Sequence, residues 1–209
     1  LLADAQRQPL STQKVIERIA GRDDIAFVLI LGDLTDTGLE MEFEWTCKSL
    51  EKLDIPYLPI IGNHDAISFG KEIWKKYFGA FDYSFTFLES KFIIYNDNAY
   101  EFPGVPDFDW MAQEAAVAGG EVRYHTIGVS HIPPVTDVHN ADEAFALRQF
   151  LFDNGFDLTV HGHLARFDYW RDEFGVDHYY VDDTEGEEYG IMTVYQDRVE
   201  FENCSPECT

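Results

Sequence analysis

The chain has 209 residues, with 15 Lys+Arg against 39 Asp+Glu for a formal charge of −24, and it is 45% apolar and 15% aromatic. That apolar fraction fills a core, which excludes a disordered chain, and at ~100–200 residues per domain a single domain over 1–209 is expected. So negative a surface repels phosphate backbones and anionic lipid, which excludes nucleic-acid or membrane-surface binding by general electrostatics; an anionic substrate would need a strong local positive charge such as a metal ion.

The chain opens at Leu1-Leu2-Ala3, which reads as the end of a first strand cut short at the N-terminus. The residues from Thr12 to Ala20 then carry apolar side chains three and four apart and predict a helix, with Ser11 as its cap. Ile25 to Leu31 predicts a buried strand, Glu40 to Leu53 a helix, Tyr57 to Ile61 a strand and Lys71 to Phe78 a helix. Tyr83 to Asn96 reads as a hairpin turning at Glu89-Ser90. Asp109 to Ala118 predicts a helix capped by Asp109, Tyr124 to Ser130 a strand, Asp142 to Asn154 a helix and Phe156 to Val160 a strand. A second hairpin is expected over Tyr179 to Phe201, turning at Gln196-Asp197. Alternating strands and helices predict an α/β fold with a mainly parallel sheet, and the hairpins a second, partly antiparallel sheet packed on it. No repeat, low-complexity stretch or linker interrupts the chain.

No apolar run approaches the ~18–20 residues of a membrane span. No cysteine pair has Cys-x-x-Cys zinc spacing; Cys204 and Cys208 can bridge in an oxidising compartment, whereas Cys47 reads as a small packing residue. A cytoplasmic location is the expectation, with export the alternative if a leader preceded Leu1. Oligomeric state does not follow from the sequence.

The chemistry lies at the ends of the apolar runs. Asp4 follows Ala3, Asp33 follows Leu31-Gly32, Asn63 and His64 follow Ile61-Gly62, His131 follows Ser130, and His163 follows Val160 through His161 and Gly162. In an open α/β sheet the carboxyl ends of the strands share one edge, where ligands bind. Carboxylate, amide oxygen and imidazole without thiolate suit a divalent or trivalent ion, Mn, Fe or Zn, with Mn²⁺ the first choice. A glycine before three of these residues allows the tight approach an ion requires.

Gly32-Asp33-Leu34-Thr35-Asp36, Gly62-Asn63-His64-Asp65, Ser130-His131-Ile132-Pro133-Pro134 and Gly162-His163, in this order and at these separations, resemble the motifs of the calcineurin-like metallophosphoesterases. The resemblance implies a double β-sandwich flanked by helices, with two metal sites bridged by Asp33. It implies that Asn63, His131 and His163 complete one site, and that an Asp-x-His motif and the last His of a Gly-His-x-His motif complete the other. This chain departs from that pattern twice, with Asp4-Ala5-Gln6 in the first motif and Gly162-His163-Leu164-Ala165 in the second. Both departures fall on the same ion, whose ligands reduce to Asp4, Asp33, the amide oxygen of Gln6 and water. One tightly bound ion and one weak or absent ion are therefore expected.

The implied reaction is hydrolysis of a small phosphomonoester or phosphodiester by a metal-activated water. His64 would stabilise the transition state or protonate the leaving group, Asp65 would orient His64, and Asp36 would support a metal-bound histidine. Arg7 and Arg166, each directly after a damaged motif, are candidates to neutralise phosphate in place of the missing cation, and His139 is a candidate to reach the cleft. The rival is a catalytically weak or inactive relative serving as a metal- or phosphate-binding or scaffold module, which Gln6 and Ala165 favour. His125 and His178 read as loop or strand-end histidines, and His161 as a neighbour of the metal ligands. The aromatic residues Tyr100, Phe102, Phe108, Trp110, Phe167, Tyr169 and Trp170 read chiefly as core closure, and the acidic run Asp182 to Glu188 as a solvated turn. Phosphate-loop, dinucleotide and serine-elbow signatures are missing.

Overall fold

A computed structural model describes residues 1–135 and 138–208. In chain order the elements are α1 (Pro9–Ala20), β1 (Val28–Ile30), α2 (Glu40–Leu50), β2 (Tyr57–Pro59), a 3₁₀ turn (His64–Ala66), α3 (Gly70–Tyr77), β3 (Tyr83–Phe87), β4 (Ser90–Ile94), α4 (Phe108–Ala115), β5 (His125–Val129), α5 (Ala141–Asp153), β6 (Leu158–His161), β7 (Asp168–Arg171), β8 (Asp177–Tyr180), β9 (Tyr189–Val194) and β10 (Val199–Cys204).

Six strands form one mixed sheet in the order β3-β4-β5-β6-β8-β7, whose centre, β4 through β8, is parallel. Opposite it, β1 and β2 pair in parallel and β9 and β10 pair antiparallel. The opening residues join these two pairs, because Leu2 bridges Ile30 and the Leu1 backbone exchanges two hydrogen bonds with Gly190.

Side-chain alternation makes this a layered sandwich. Val28 and Ile30 turn outward to pack with Ile16, Ile19, Phe43, Leu50 and Trp74 of α1 to α3. Leu29 and Leu31 turn inward against Phe92, Ile94, Ile127, Val129, Leu158 and Val160 of the six-stranded sheet. The opposite face of β4 packs Ile93, together with Tyr95 just beyond the strand, against Met111, Leu147 and Leu151 of α4 and α5. The α/β class and the two packed mixed sheets agree with the sequence reading.

Three local readings are corrected. The hairpin turning at Gln196-Asp197 is β9-β10, but it does not begin at Tyr179: β8 lies in the six-stranded sheet, and the acidic run 182–188 crosses from it to the other. β7 was missed because only Trp170 of its four residues is more than exposed edge, leaving no apolar run to read. The helix caps lie elsewhere too: Asp107, not Asp109, accepts from the Trp110 N–H at 3.0 Å, and Ser11 lies inside α1, its hydroxyl donating to the Glu185 carbonyl. Cys204 and Cys208 form a disulfide, and Cys47 is half-buried on α2. No helix among the described residues is long and apolar enough to cross a membrane.

Phe92 is 1% exposed; it stacks on its cross-strand partner Phe85 with ring centres 4.8 Å apart and meets Phe27, just before β1 in the facing layer, edge-on at 5.6 Å. Phe92→Ala should cost about 3–5 kcal/mol in urea unfolding, the transfer term plus a cavity. A loss under ~1 kcal/mol would mean that this interface does not hold the sheets together.

Candidate metal centre

The carboxyl ends of β1, β2, β5 and β6 deliver Asp33, Asn63, His131 and His163 to one edge of the sandwich. The ligand atoms of Asp33, His131 and His163 lie within 4.8 Å of one another. His131 Nε2 is 3.3 Å from Asp33 Oδ2, 3.1 Å from Asn63 Oδ1 and 3.2 Å from His163 Nδ1. On its other side, His131 Nδ1 donates to the Leu31 carbonyl at 2.7 Å. A carbonyl only accepts, so the proton of a neutral ring sits on Nδ1 and the Nε2 lone pair faces two oxygens and a third nitrogen. This convergence of a carboxylate oxygen, an amide oxygen and two imidazole nitrogens fits a metal ion.

The backbone is bent to make this happen. Asp4, Asp33 and His163 all have φ in the left-handed region, at 48°, 53° and 70°, where non-glycine residues are uncommon and the surroundings must hold them. Gly32 and Gly62 let the strand ends close on each other. A Cβ on Gly32 would fall 2.4 Å from His131 Nδ1, and one on Gly62 would fall 2.1 Å from Asp33 Oδ1. Asp33 Oδ1 also accepts the His64 N–H at 2.9 Å, and Asp4 Oδ2 accepts the His163 N–H at 2.8 Å.

Electrostatics follow from the burial of these charges. Burial opposes a charge on His131, but the Asp33 and Asp4 carboxylates outweigh it and push the ring up to about 10. Burial works against Asp33 too, yet His131 and His64 hold its carboxyl below the usual range. Burial, with repulsion from Asp33, pushes Asp4 up to about 7. In the metal-free protein a proton on His131 thus takes the part of a cation.

Several expected roles fall differently. Asp65 does not orient His64: it is fully buried and accepts from the Thr35 N–H and hydroxyl at 2.8 and 2.9 Å and from the Gly62 N–H at 3.0 Å, lacing the two ligand loops together. The His64 ring is held instead by the Asp36 carbonyl, which accepts from Nδ1 at 2.8 Å, so Asp36 serves His64 rather than a metal-bound histidine. Gln6 presents its amide N–H, not its oxygen, to Asp33 Oδ2 at 3.1 Å; Gln6 Oε1 is buried without a hydrogen-bond partner among the described residues. Ala165, exposed and with φ of 45°, supplies no donor.

Arg7 pairs with Asp36 at 2.7 Å, and Arg166 pairs with Asp168 at 3.3 Å. His139 is buried near Glu143, its Nε2 without a hydrogen-bond partner among the described residues. His161 points away from the cluster, its ring nitrogens bonded to Ser130 at 3.0 Å and Thr159 at 2.6 Å, because the turn at Gly162 breaks the strand alternation. His178 joins it through Thr159 and contacts Asp172 in a fully buried chain. Sequence reasoning missed Asp97, whose Oδ1 accepts the Ile132 N–H at 3.2 Å and fixes the backbone after His131. Its signal was present: the apolar run of β4 ends in Asn96-Asp97-Asn98, as the other runs end in polar residues.

Comparison with known proteins agrees with this geometry. The model of the calcineurin-like phosphoesterases matches residues 1–167. The chain belongs to the calcineurin-like phosphoesterase family. Among solved structures, a dimetal phosphatase from Danio rerio superposes with a TM-score of 0.79 at 12% identity, over 100% of this chain and 96% of that one. Purple acid phosphatase PPD1 from yellow lupin gives 0.70 at 14% identity, over 93% of this chain and 46% of that one. GAP50, titled the anchor in the inner membrane complex of Plasmodium, gives 0.65 at 14%, over 97% of this chain and 78% of that one. No curated protein sequence matches the chain.

The site yields two expectations. The raised His131 pKa means that the charged ring stabilises the metal-free fold fully below its ordinary 6.5, and that this contribution is lost as pH rises through about 10. A metal ion must displace that proton, so Mn²⁺ uptake near pH 7.5 should release about one proton per ion, read by calorimetry in buffers of different ionisation heat. Uptake without proton release would contradict the assignment. Gly62→Ala, by driving a methyl into Asp33, should weaken Mn²⁺ binding by roughly 10–100-fold; unchanged affinity would mean that Asp33 is not held where the ion binds.

Proposed function

We propose that the protein hydrolyses phosphoester bonds of small organic phosphates, with one tightly held metal ion at Asp33, Asn63, His131 and His163. The observation that carries this reading is the lone-pair cluster around His131 Nε2 beside an ordered His64. A divalent ion held there supplies Lewis-acid polarisation of a phosphoryl oxygen and acidifies a water. Asn63 and His163 would hold such an ion from two separate loops. Asp33, which would hold it too, accepts the His64 N–H through Oδ1 and so ties the His64 backbone to the same centre. His64, three-quarters buried, donates through Nδ1 to the Asp36 carbonyl and keeps Nε2 to pass a proton to the departing oxygen. Asp36 Oδ1 lies 3.9 Å from the same ring nitrogen.

The second ion is weak or absent in this reading. Only Asp4 and Asp33 would remain as carboxylate donors for it, and the Gln6 amide N–H already bonds Asp33 Oδ2. Arg7, at the mouth and 66% exposed, is placed to trade Asp36 for a substrate phosphate, and Arg166 to do the same with Asp168. Loss of the second cation also favours the scaffold reading, and the likeness in fold to GAP50, named as an anchor, is in keeping with it.

A screen of aryl phosphate mono- and diesters with Mn²⁺, Fe and Zn²⁺ decides between the two readings. Turnover abolished by chelator and reduced at least about a hundredfold in Asn63→Ala and His64→Ala supports the hydrolase. Absence of turnover with every metal supports the scaffold.

A further inference from the structure

We propose that a buried line of hydrogen bonds, from Asp172 through His178, Thr159 and His161 to Ser130, positions the metal ligands His131 and His163, and that Asp172 sets its direction. The proposal rests on the metal ion of the reading above and adds the residues that hold its ligands in place. Ser130 directly precedes His131, and His161 stands two places before His163. The backbone ties between these two strand ends are long: 3.2 Å from the Ser130 N–H to the Val160 carbonyl, and 3.2 Å from the Gly162 N–H to the His131 carbonyl. The Ser130 hydroxyl, 3.0 Å from His161 Nδ1, adds a side-chain tie across the same junction.

Every bond in the line has a fixed direction. In the turn that joins β7 to β8, Asp172 Oδ1 accepts the N–H groups of Phe174, Gly175 and Val176 at 2.8–2.9 Å, and Oδ2 lies 3.2 Å from His178 Nε2. A carboxylate only accepts, so Nε2 carries the proton of this ring. Burial pushes both imidazoles below the ordinary histidine value and keeps them neutral. His178 Nδ1 therefore accepts the Thr159 hydroxyl at 2.6 Å, Thr159 Oγ1 accepts from His161 Nε2 at 2.6 Å, and His161 Nδ1 accepts from Ser130. The Ser130 proton is thereby drawn to His161 and away from the Ile132 carbonyl, which lies 3.5 Å off and one residue past His131.

The fold alone does not call for such a line. Alternation with Leu158, Val160 and Tyr179 of the inter-sheet core puts Thr159, His161 and His178 on the opposite face of the six-stranded sheet. Ser130, Thr159, His161 and His178 are all 0% exposed, and Asp172 is 6% exposed. Apolar side chains fill such a layer at lower cost, because every polar atom there must be paired. What the polar line reaches, and an apolar one could not hold, is the junction of the two ligand strands.

Calorimetric Mn²⁺ binding to the intact chain, Thr159→Val and Thr159→Ser tests the tie, with urea unfolding of each metal-free protein alongside. Thr159→Val keeps the shape and removes the central hydroxyl, and it should weaken Mn²⁺ about tenfold; Thr159→Ser, which keeps the hydroxyl, should recover most of the loss. Equal affinity in Thr159→Val, whatever its stability, overturns the positioning role and leaves the metal centre standing. No uptake by the intact chain overturns the metal centre and the positioning role together. Direction is read by ¹⁵N NMR of the metal-free chain, where His161 and His178 should both carry the proton on Nε2. Asp172→Asn keeps an oxygen for the three N–H groups and turns an amide N–H toward His178, so every bond reverses and the proton of both rings moves to Nδ1. Ser130 is then free to turn to the Ile132 carbonyl, and Mn²⁺ binding should weaken here too. This variant decides the proposal if Thr159→Val does not fold: unchanged affinity, or a His161 ring still protonated on Nε2, overturns it.

Discussion

One lone pair organises the site. His131 bonds the Leu31 carbonyl through Nδ1 and turns Nε2 to Asp33, Asn63 and His163 at 3.1–3.3 Å. In the metal-free protein a proton on the ring balances the Asp33 and Asp4 carboxylates, and the backbone holds the cluster closed around it. The left-handed backbone at Asp33 and His163, the missing side chains at Gly32 and Gly62, and the Asp65 carboxylate that laces Thr35 to Gly62 all keep the cluster closed. Strain of this kind persists only where the surrounding packing over-determines it, and here that packing is the inter-sheet core directly beneath.

The same logic explains the asymmetry of the centre. A buried carboxylate with no counter-charge is costly, and Asp4 rises to about 7 for that reason. Where the family pattern has imidazole ligands, this chain has an amide that donates to Asp33 and an alanine that does nothing. Gln6 thus stabilises the Asp33 carboxylate with an N–H where a second ion would do so with charge.

Much of this was legible in the sequence because each ligand terminates an apolar run, and parallel strands bring such termini to one edge whatever the loops do. The meeting of Asp33, Asn63, His131 and His163 at one edge and the layered fold follow from that rule. Hydrogen-bond partners do not, since they depend on the direction a turn takes. Asp65 adjoins His64 in sequence yet bonds across to Thr35, and His161 parts from His163 because the chain turns at Gly162. β8 and β9 read as one arm of a hairpin because a sequence pattern cannot show a chain changing sheets. Arg7 was visible as a cation, but its partner, Asp36, lies 29 positions away and depends on the fold.

The most direct test is an anomalous-difference map from crystals soaked in Mn²⁺. A peak within coordination distance of Asp33, Asn63 Oδ1, His131 Nε2 and His163 is the predicted result, with a much weaker or missing peak beside Asp4. A map with no density at the meeting point of those four side chains, while the fold is intact, would contradict the account.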